Sequence, residues 1–278
     1  MEPYTVALTS CGRFDLLEQT LRSLLPRLDG QIAGILIAED SGDRSVLDVA
    51  EQFTGRYGKI DTFINDPPLG QVKSIDKLYS KIKTDWIFHC EDDWEFFSDG
   101  FIADSFTLLK ELDHLSMVSV RDRSKFDDNH FFPGPQLCAG VQYFAINPAN
   151  KPIWAGLSFN PGLRRMRDYR IVGPYADLAV VAAERHVSAC YQELGFSIAH
   201  LAEPAVRHIG DGRHVRNQAK PDNFGGRTAV SVRKRLAWLR RVLAPEHDPV
   251  QRAKRRMEQA EGGNQPSVCL PHDSSGQG

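Results

Sequence analysis

The chain has 278 residues, of which 41% are hydrophobic, so it can bury a substantial core in one large domain or two small ones. Its formal net charge is −2, whereas nucleic-acid-binding proteins usually have an excess of basic residues, so we expect no nucleic-acid partner. The five cysteines are scattered without a CxxC pair, which argues against a disulfide framework and a zinc ribbon. The N-terminus has no basic region before an apolar run, and no segment is long enough to span a bilayer, which predicts a cytoplasmic protein.

The first 120 residues alternate between segments that favour strands and segments that favour helices. Nearly continuous apolar runs predict strands at residues 4–10, 33–40, 59–66, 85–90 and 115–120. Apolar residues at helical spacing predict helices at residues 14–25, 45–53, 70–82 and 99–112. Strands and helices that alternate at these lengths form βαβ units, so the sequence predicts an α/β fold with a mostly parallel central sheet flanked by helices.

The rest of the chain has a less regular pattern. Residues 121–170 are rich in glycine, proline, asparagine and charge, and we expect long functional loops there. A helix at 175–195 and a strand at 196–202 are predicted next. Residues 228–243 predict a basic amphipathic helix, which either packs on the main domain or rests on an anionic membrane surface. Residues 246–278 are polar and are expected to be disordered.

The stretch WIFHCEDDWEFF places three consecutive carboxylates, Glu91, Asp92 and Asp93, behind an apolar run. Adjacent carboxylates repel one another and lose solvation near a core, so a positive group should compensate them. TSCGR, EDSGD and NDPPLGQ end three other predicted strands, and the carboxyl ends of parallel strands meet at one ligand-binding edge. Oxygen ligands at such an edge suit Mg²⁺ or Mn²⁺. The alternative is a set of solvated acids at the start of the next helix.

The longer stretch WIFHCEDDWEFFSDGFI resembles the metal-binding DxD region of GT-A-fold glycosyltransferases. The resemblance is to the Glu-Asp-Asp form seen in N-acetylglucosaminyltransferase I and in relatives within glycosyltransferase family 2. VALTSCGRFDLLEQTLRSLL and ILIAEDSGD resemble the first strand and helix and the second strand of that fold. The resemblance covers residues 4 to about 215 and implies a GT-A Rossmann-like fold, as a single domain with a C-terminal helical extension.

The resemblance also implies the domain limits. A glycosyltransferase domain is expected at 1–225, with a nucleotide-binding half at 1–120 and an acceptor and catalytic half at 121–225. The basic amphipathic helix at 226–245 and the polar tail at 246–278 would follow it.

The metal and donor residues come from the same resemblance. It implies that Asp93 binds Mn²⁺ or Mg²⁺, and that His208, which follows a late strand, returns to the same ion. Glu91 is expected to hold ligand waters or the sugar, and Asp40 or Glu39 to contact the N–H groups of the base. The full set expected to bind the nucleotide sugar is Ser10, Arg13, Glu39, Asp40, Gln71, Lys73, Glu91, Asp92 and Arg213.

An inverting transferase needs a carboxylate that removes the proton of the acceptor hydroxyl as the anomeric carbon is attacked. Relatives place this base near the start of a helix that ends in a Leu-Gly pair before a strand, and Glu184, in the helix that ends at Gly195, takes that place here. The family more often has an Asp preceded by Glu, whereas Ala183 precedes Glu184. Glu193 and Asp177 are the fallback candidates, and a surface role for Glu184 is the alternative.

Besides His208, the basic loop RHIGDGRHVRNQ carries four cationic or imidazole side chains: Arg207, Arg213, His214 and Arg216. Such a loop is expected to close on the leaving diphosphate, and a solvated loop is the alternative.

These assignments predict a metal-dependent, inverting glycosyltransferase that moves a hexosyl or N-acetylhexosaminyl group from a nucleotide-diphosphate donor to a glycan or glycolipid acceptor. Synthesis of a bacterial surface glycan or glycoconjugate is expected, with peripheral contact of residues 228–243 at the inner face of the membrane. One alternative is a sugar-phosphate nucleotidyltransferase, although LTSCGRFD lacks the glycine-rich phosphate loop of that class. Another is a non-catalytic nucleotide- or carbohydrate-binding module on the same fold.

Overall fold

The computed structural model describes residues 1–150, 153–178, 183–213 and 248–260. Its strands are β1 (Tyr4–Ser10), β2 (Ile32–Glu39), β3 (Ile60–Ile64), β4 (Trp86–Glu91), β5 (Trp94–Phe96), β6 (Leu115–Ser119), β7 (Gln136–Cys138), β8 (Val141–Ala145), β9 (Gly162–Arg165), β10 (Ser197–Leu201) and β11 (Val206–His208). Its helices are α1 (Phe14–Leu24), α2 (Val46–Glu51), α3 (Gln71–Tyr79), α4 (Phe101–Glu111), α5 (Met166–Val172), α6 (Ala183–Glu193) and α7 (Pro249–Ala260).

A nine-stranded sheet forms the centre of the described part, in the order β3-β2-β1-β4-β9-β6-β10-β8-β7. β1, β2, β3 and β4 pair in parallel, as do β6 and β10. β9 lies between β4 and β6 and runs antiparallel to both, and β8 runs antiparallel to its two neighbours. β5 and β11 form a separate two-stranded sheet. The predicted α/β fold with a mostly parallel sheet is therefore confirmed.

Alternate residues of the central strands supply a separate hydrophobic core on each face of the sheet. Val6, Leu8 and Phe88 belong to the core that also contains residues of α1 and α4. Ala7 and Ile87 belong to the core that contains residues of α3, α5 and α6. All seven residues of β1 are buried, as expected of a strand covered by helices on both faces.

The strands and helices predicted in the first 120 residues are confirmed, with ends that differ by at most three residues. The prediction of long loops over residues 121–170 is wrong in part, because β7, β8, β9 and most of α5 lie there. β9 is only four residues long and contains two arginines, so it carries no apolar alternation by which to recognise it. Its Gly162 meets β6 closely, since a Cβ there would lie 2.4 Å from the carbonyl oxygen of Val118.

The prediction that residues 246–278 are disordered is wrong for Pro249–Ala260, which form α7. The segment is polar on average, but Val250, Ala253 and Met257 share one helical face and pack against the core. The average composition therefore gave no sign of a packed helix. Arg256 adds hydrogen bonds from Nη1 to the carbonyl oxygens of Ile171 and Gly173, at 3.3 and 2.6 Å. A short amphipathic stripe is thus enough to dock a polar helix.

The predicted basic helix at 226–245 and the end of the chain at 261–278 lie outside the described residues. Among the residues that are described, no helix combines the length and apolar character needed to cross a bilayer.

Candidate active site

The carboxyl ends of β1, β2 and β4 bring several predicted acids to one edge of the sheet. Glu91 ends β4, and Ser10 at the end of β1 pairs with Glu39 at the end of β2. Asp92 and Asp93 follow β4 directly, and only 1% and 7% of their surface is exposed. These carboxylates therefore lie together in a poorly solvated place, where each depends on donors from the protein or from a ligand.

Arg13, which follows β1, supplies positive charge to the acid cluster. Its Nη1 lies 2.7 Å from Asp93 Oδ2, its Nε donates to Asp92 Oδ2 at 3.3 Å, and its Nη2 pairs with the other Asp92 oxygen. The backbone N–H of Cys11 also donates to Asp92 Oδ2, at 3.3 Å. Burial nevertheless raises the pKa of Asp92 to about 6, since the lowering effect of Arg13 is opposed by the charge of Asp93. The protein's own cation therefore compensates the cluster only in part.

His208 lies beside Asp93, as the resemblance implied. Its Nε2 is 3.2 Å from Asp93 Oδ2, and its Nδ1 is 2.9 Å from Oδ1 of Asp211. β11 pairs with β5 so that His208 lies opposite Trp94, whose ring it meets edge-on at 5.1 Å between centroids. A second carboxylate that orients an imidazole in this way is typical of histidines that bind metals.

The Asp93 and His208 pair fits a divalent cation. Asp93 Oδ1 is buried and has no hydrogen-bond partner among the described residues, so one oxygen of this carboxylate lacks the donor that burial requires. Gly210 makes the close approach of the loop possible, since a Cβ there would lie 2.6 Å from Asp93 Oδ2. The described residues contain no group of three or more His, Cys, Asp or Glu side chains arranged for a metal. A cation held by this pair would therefore take most of its ligands from substrate oxygens and water, as Mg²⁺ commonly does.

Glu91 lies at the end of β4, directly before Asp92 and Asp93. Its Oε1 accepts a hydrogen bond from Gln71 Nε2 at 2.7 Å. Burial raises the pKa of Glu91 to about 8, with further raising from the charges of Asp93, Glu184 and Asp92. Lys73, also predicted to bind the donor, is exposed on α3. Glu91 is therefore within electrostatic reach of both the predicted metal ligand and the predicted base.

Glu39 and Asp40, the two candidates for contact with the base, have different surroundings. Glu39 is fully buried, and its Oε1 accepts from the backbone N–H groups of Gly12 and Ser41 at 3.0 and 2.7 Å. Its Oε2 and the hydroxyl of Ser10 are buried and receive no hydrogen bond within the described ranges of the chain. The ends of the first two strands therefore hold two polar atoms whose hydrogen-bonding capacity is unused by the described residues.

Asp40 is already saturated by the protein. Its Oδ1 accepts from the side chains of Asn65 and Ser74 and from the backbone N–H of Leu69, and its Oδ2 accepts from the N–H of Gly70. These bonds are 2.8 to 3.0 Å long. Asp40 therefore shapes the loop between β3 and α3, and Glu39 is the one of the two with an oxygen to spare.

Glu184 lies in the first turn of α6 and within electrostatic reach of Glu91, and the region between these two carboxylates is called the cleft below. Its Oε1 accepts from the hydroxyl of Ser158 at 2.9 Å and from the backbone N–H of Phe159 at 2.8 Å. Its Oε2 receives no hydrogen bond from any residue in the described ranges. One oxygen thus fixes the carboxylate, and the other is left for a ligand.

The fallback bases lie in less suitable places. Asp177 pairs with Arg252 of α7, with 3.1 Å between Oδ2 and Nη2. Glu193 is exposed near the end of α6. Of the three candidate bases, Glu184 is therefore the one whose surroundings best suit a role beside the acid cluster.

The basic loop was expected to close on a diphosphate. In the described residues its arginines pair with carboxylates of the protein instead. Arg213 forms a two-pronged ion pair with Asp15 at 2.5 and 2.9 Å, and its carbonyl oxygen accepts from Arg13 Nη1 at 3.4 Å. Arg207 pairs with Glu95 across β11 and β5 at 2.6 Å. His214 and Arg216 lie outside the described residues. Arg213 thus contacts Arg13 of the acid cluster through its backbone, while its side-chain charge is already paired with Asp15.

Sequence reasoning missed two arginines of this region. Arg164 on β9 is 2% exposed and donates from Nη2 to the carbonyl oxygens of Ser158 and Asn160, at 3.0 and 3.2 Å. Arg121 follows β6 and lies over the rings of Trp94 and Phe126. Neither has a sequence signal, because their partners are backbone carbonyls and rings that only the tertiary fold brings near.

Comparisons with known proteins bear on the fold. No protein-family model matches the sequence, and a search of curated proteins gives no significant match. S. aureus TarS 1–349 in complex with UDP-GlcNAc matches with a TM-score of 0.58 at 11% identity, over 84% of this chain and 66% of that chain. A mannosyltransferase from Pyrobaculum calidifontis in complex with GDP-Man and Mn²⁺ matches with a TM-score of 0.56 at 11% identity, over 94% and 75%.

GalNAc-T7 with UDP, GalNAc and Mn²⁺ is a third match, with a TM-score of 0.58 at 12% identity, over 84% of this chain and 48% of that chain. The match to another structure of TarS 1–349 spans 59% of that chain. At these identities the likeness concerns architecture alone. The chain thus has the fold of the GT-A glycosyltransferases, a mostly parallel sheet flanked by helices.

Proposed function

We propose that this protein is a divalent-metal-dependent, inverting glycosyltransferase that moves a sugar from a nucleoside-diphosphate donor to an acceptor hydroxyl. The observation that carries the proposal is the convergence of Asp93, His208 and Glu91 at the edge of the sheet, with Glu184 facing them. The similar structures include complexes with UDP, UDP-GlcNAc and GDP-Man, which supports a nucleotide-sugar donor.

Asp93 and His208 would hold Mn²⁺ or Mg²⁺, and the bound ion would neutralise charge that develops on the leaving diphosphate. Arg13 keeps Asp92 and Asp93 in place and adds positive charge at the same edge. Among the described residues, the second oxygen of Glu39 and the hydroxyl of Ser10 lack hydrogen-bond partners, so they are the polar atoms at this edge that a donor group would satisfy. Gln71 holds Glu91 in position for contact with the sugar.

Glu184 would act as the general base. Ser158 and the N–H of Phe159 fix its Oε1, so Oε2 is positioned to accept the proton of the acceptor hydroxyl as that oxygen attacks the anomeric carbon. Attack opposite to the leaving diphosphate inverts the anomeric configuration without a covalent intermediate. The carboxylate therefore has to be ionised and well oriented, and both bonds to Oε1 serve that end.

A hexose or N-acetylhexosamine as the transferred sugar and a glycan or glycolipid as the acceptor remain predictions. The exposed side chain of Trp154, near α6 in the second half of the chain, offers a ring for stacking on an acceptor sugar. A role in bacterial surface-glycan synthesis, with residues 228–243 at the membrane, depends on residues that are not described.

The test is a thermal-shift screen of nucleoside diphosphates with and without Mn²⁺, followed by hydrolysis of the matching sugar nucleotide. A ligand that binds only the native state raises the midpoint temperature. We expect one nucleotide to stabilise the protein only with Mn²⁺, and its sugar nucleotide to be hydrolysed slowly without an acceptor. Binding with neither hydrolysis nor transfer would indicate a non-catalytic module, and consumption of a nucleoside triphosphate with pyrophosphate release would indicate a nucleotidyltransferase.

A further inference from the structure

Arg121 lies just beyond β6, within electrostatic reach of both Glu184 and Glu91. Its guanidinium carbon is 5.4 Å from the centroid of the Trp94 ring and 5.2 Å from that of Phe126. Aromatic rings at such distances attract a guanidinium through their electron-rich faces. The side chain is therefore held at the cleft by two rings.

The polar groups of this guanidinium are unused within the described ranges of the chain. There it forms no salt bridge and donates no side-chain hydrogen bond, although the backbone N–H of Arg121 donates to Ser119 Oγ at 3.4 Å. Burial lowers the pKa of Arg121, against the raising effect of the charges of Glu184 and Glu91. A guanidinium has five N–H donors, and a half-buried one that lacks acceptors is ready to take them from a ligand.

Other arginines of this region differ from Arg121 in this respect. Arg13 pairs with Asp92 and Asp93, and Arg213 pairs with Asp15. Arg123, two residues further along, pairs with Asp128 at 2.7 Å and lies over the ring of Phe144. Their charge is already matched by carboxylates, whereas that of Arg121 faces carboxylates only at a distance.

We propose that Arg121 binds an anionic group of a substrate, through phosphate or carboxylate oxygens, in the cleft between Glu91 and Glu184. The rigid fork of a guanidinium matches two oxygens of either group. The inference rests on the proposed function, which makes this cleft the place where donor and acceptor meet. The anionic group has two possible sources: the diphosphate of the donor, or a phosphate or carboxylate carried by the acceptor.

The experiment compares three variants by calorimetry. Arg121→Met keeps an unbranched stem beside Trp94 and Phe126 and removes the donors, and Arg121→Lys keeps the charge but not the fork. Arg123→Met is the matched control. The donor-side probes are UDP with Mn²⁺ and inorganic pyrophosphate, and the acceptor-side probes are glucose 6-phosphate and glucuronate, each compared with glucose. Circular dichroism checks that each variant is folded.

We expect Arg121→Met to weaken binding of at least one anionic probe by about tenfold or more, with Arg121→Lys between it and the wild type. Arg123→Met should leave the affinities unchanged. A loss confined to UDP and pyrophosphate assigns the donor diphosphate, and a loss confined to the sugar acids assigns an acidic acceptor. If Arg121→Met does not fold, Arg121→Lys decides, with a loss of about threefold or more expected for the missing fork.

Unchanged affinity of both folded Arg121 variants for every probe, or no binding of any anion by the wild type, would overturn the inference. The two proposals fail in distinguishable ways. Mn²⁺-dependent UDP binding that no Arg121 variant changes would support the proposed transferase function and refute the anion site at Arg121. Binding of pyrophosphate that depends on Arg121, without any Mn²⁺-dependent nucleotide binding, would support the anion site and refute the proposed transferase function.

Discussion

The carboxylates of the cleft are held in two different ways. Asp92 and Asp93, at the carboxyl ends of the parallel strands, are held mainly by the cationic or imidazole side chains of Arg13 and His208. Glu184, on the opposite side, is held by neutral donors, a hydroxyl and a backbone N–H. Ionic pairing suits a site that binds a further cation and a polyanion, whereas neutral hydrogen bonds fix a base while one of its oxygens stays available. The difference predicts that the two sides respond differently to substitution.

The neutral side depends on a further layer of the structure. Arg164 donates to the carbonyl oxygens of Ser158 and Asn160, and Ser158 and Phe159 in turn hold Glu184. We therefore regard Arg164 as a positioning residue that acts through the loop. A fully buried guanidinium is used here for its geometry, since these acceptors, two carbonyl oxygens and the hydroxyl of Tyr79, are neutral.

The largest effect is expected at the ionic side. Asp93→Asn keeps the size of the side chain but removes the charge, so Mn²⁺ affinity should be lost and kcat/KM should fall by about 10³-fold or more. Turnover assays and Mn²⁺ titration measure this, with Glu95→Gln, at an exposed ion pair, as the control. Full activity of the folded Asp93→Asn variant would refute the metal role.

The next effect concerns Glu184. Glu184→Gln should lower kcat by about 10²- to 10⁴-fold because no group would remain to accept the hydroxyl proton, while Mn²⁺-dependent binding of UDP should be unchanged. Steady-state kinetics and calorimetry separate the two effects. Glu193→Gln, at the far end of the same helix, is the matched control. If Glu184→Gln lost donor binding instead, the contrast between the two sides would fail.

A smaller effect is expected when the support of the base is weakened. Ser158→Ala removes one of the two hydrogen bonds to Glu184 Oε1 and leaves the one from Phe159, so kcat should fall about 2- to 10-fold with little change in KM for the donor. Ser80→Ala, at an exposed hydroxyl that donates to the carbonyl oxygen of Lys77, is the control. An unchanged kcat would mean that the backbone bond alone positions the base.

The last effect concerns stability and leaves both sides of the cleft in place. Burial lowers the pKa of His200, on β10, from 6.5 to about 4, with further effects from Arg121, Arg123 and Asp122. The folded state disfavours the charged ring, so the unfolded state binds more protons below pH 6.5, and stability falls as the pH drops towards 4. Between pH 7 and 5 the wild type should lose about 2 kcal/mol more unfolding free energy than His200→Gln.

Urea denaturation of both proteins at the two pH values tests this, because the other titrating groups are common to both. Equal losses would show that His200 titrates normally in the fold.

The sequence predicts the regular half of the fold well because its strands and helices have complete periodic patterns. It fails at β9 and α7, where Arg164 and Arg165 conceal a buried strand and where three small or flexible apolar residues support a helix. The partners of Arg164 and Arg165 include backbone carbonyl oxygens, which leave no trace in the sequence.

The candidate site divides in the same way. The proximity of Asp93 and His208 could be expected from a motif and a late strand. The different roles of Glu39 and Asp40 could not, since the two acids are adjacent and chemically alike. Strand register turns one towards the N–H of Gly12 and the other towards the loop between β3 and α3. The position of Arg121 depends on Trp94 and Phe126, which reach it only in the folded chain.

The ion pairs of Arg13 have a consequence for folding in the absence of metal. A guanidinium stays protonated at any physiological pH, so Asp92 and Asp93 have a counter-charge as soon as β1 and β4 pair. Chain assembly should therefore be possible in chelator, unlike that of small domains whose ligand clusters stay unfolded until zinc arrives. In the proposed function the ion would then be needed for nucleotide binding and not for folding.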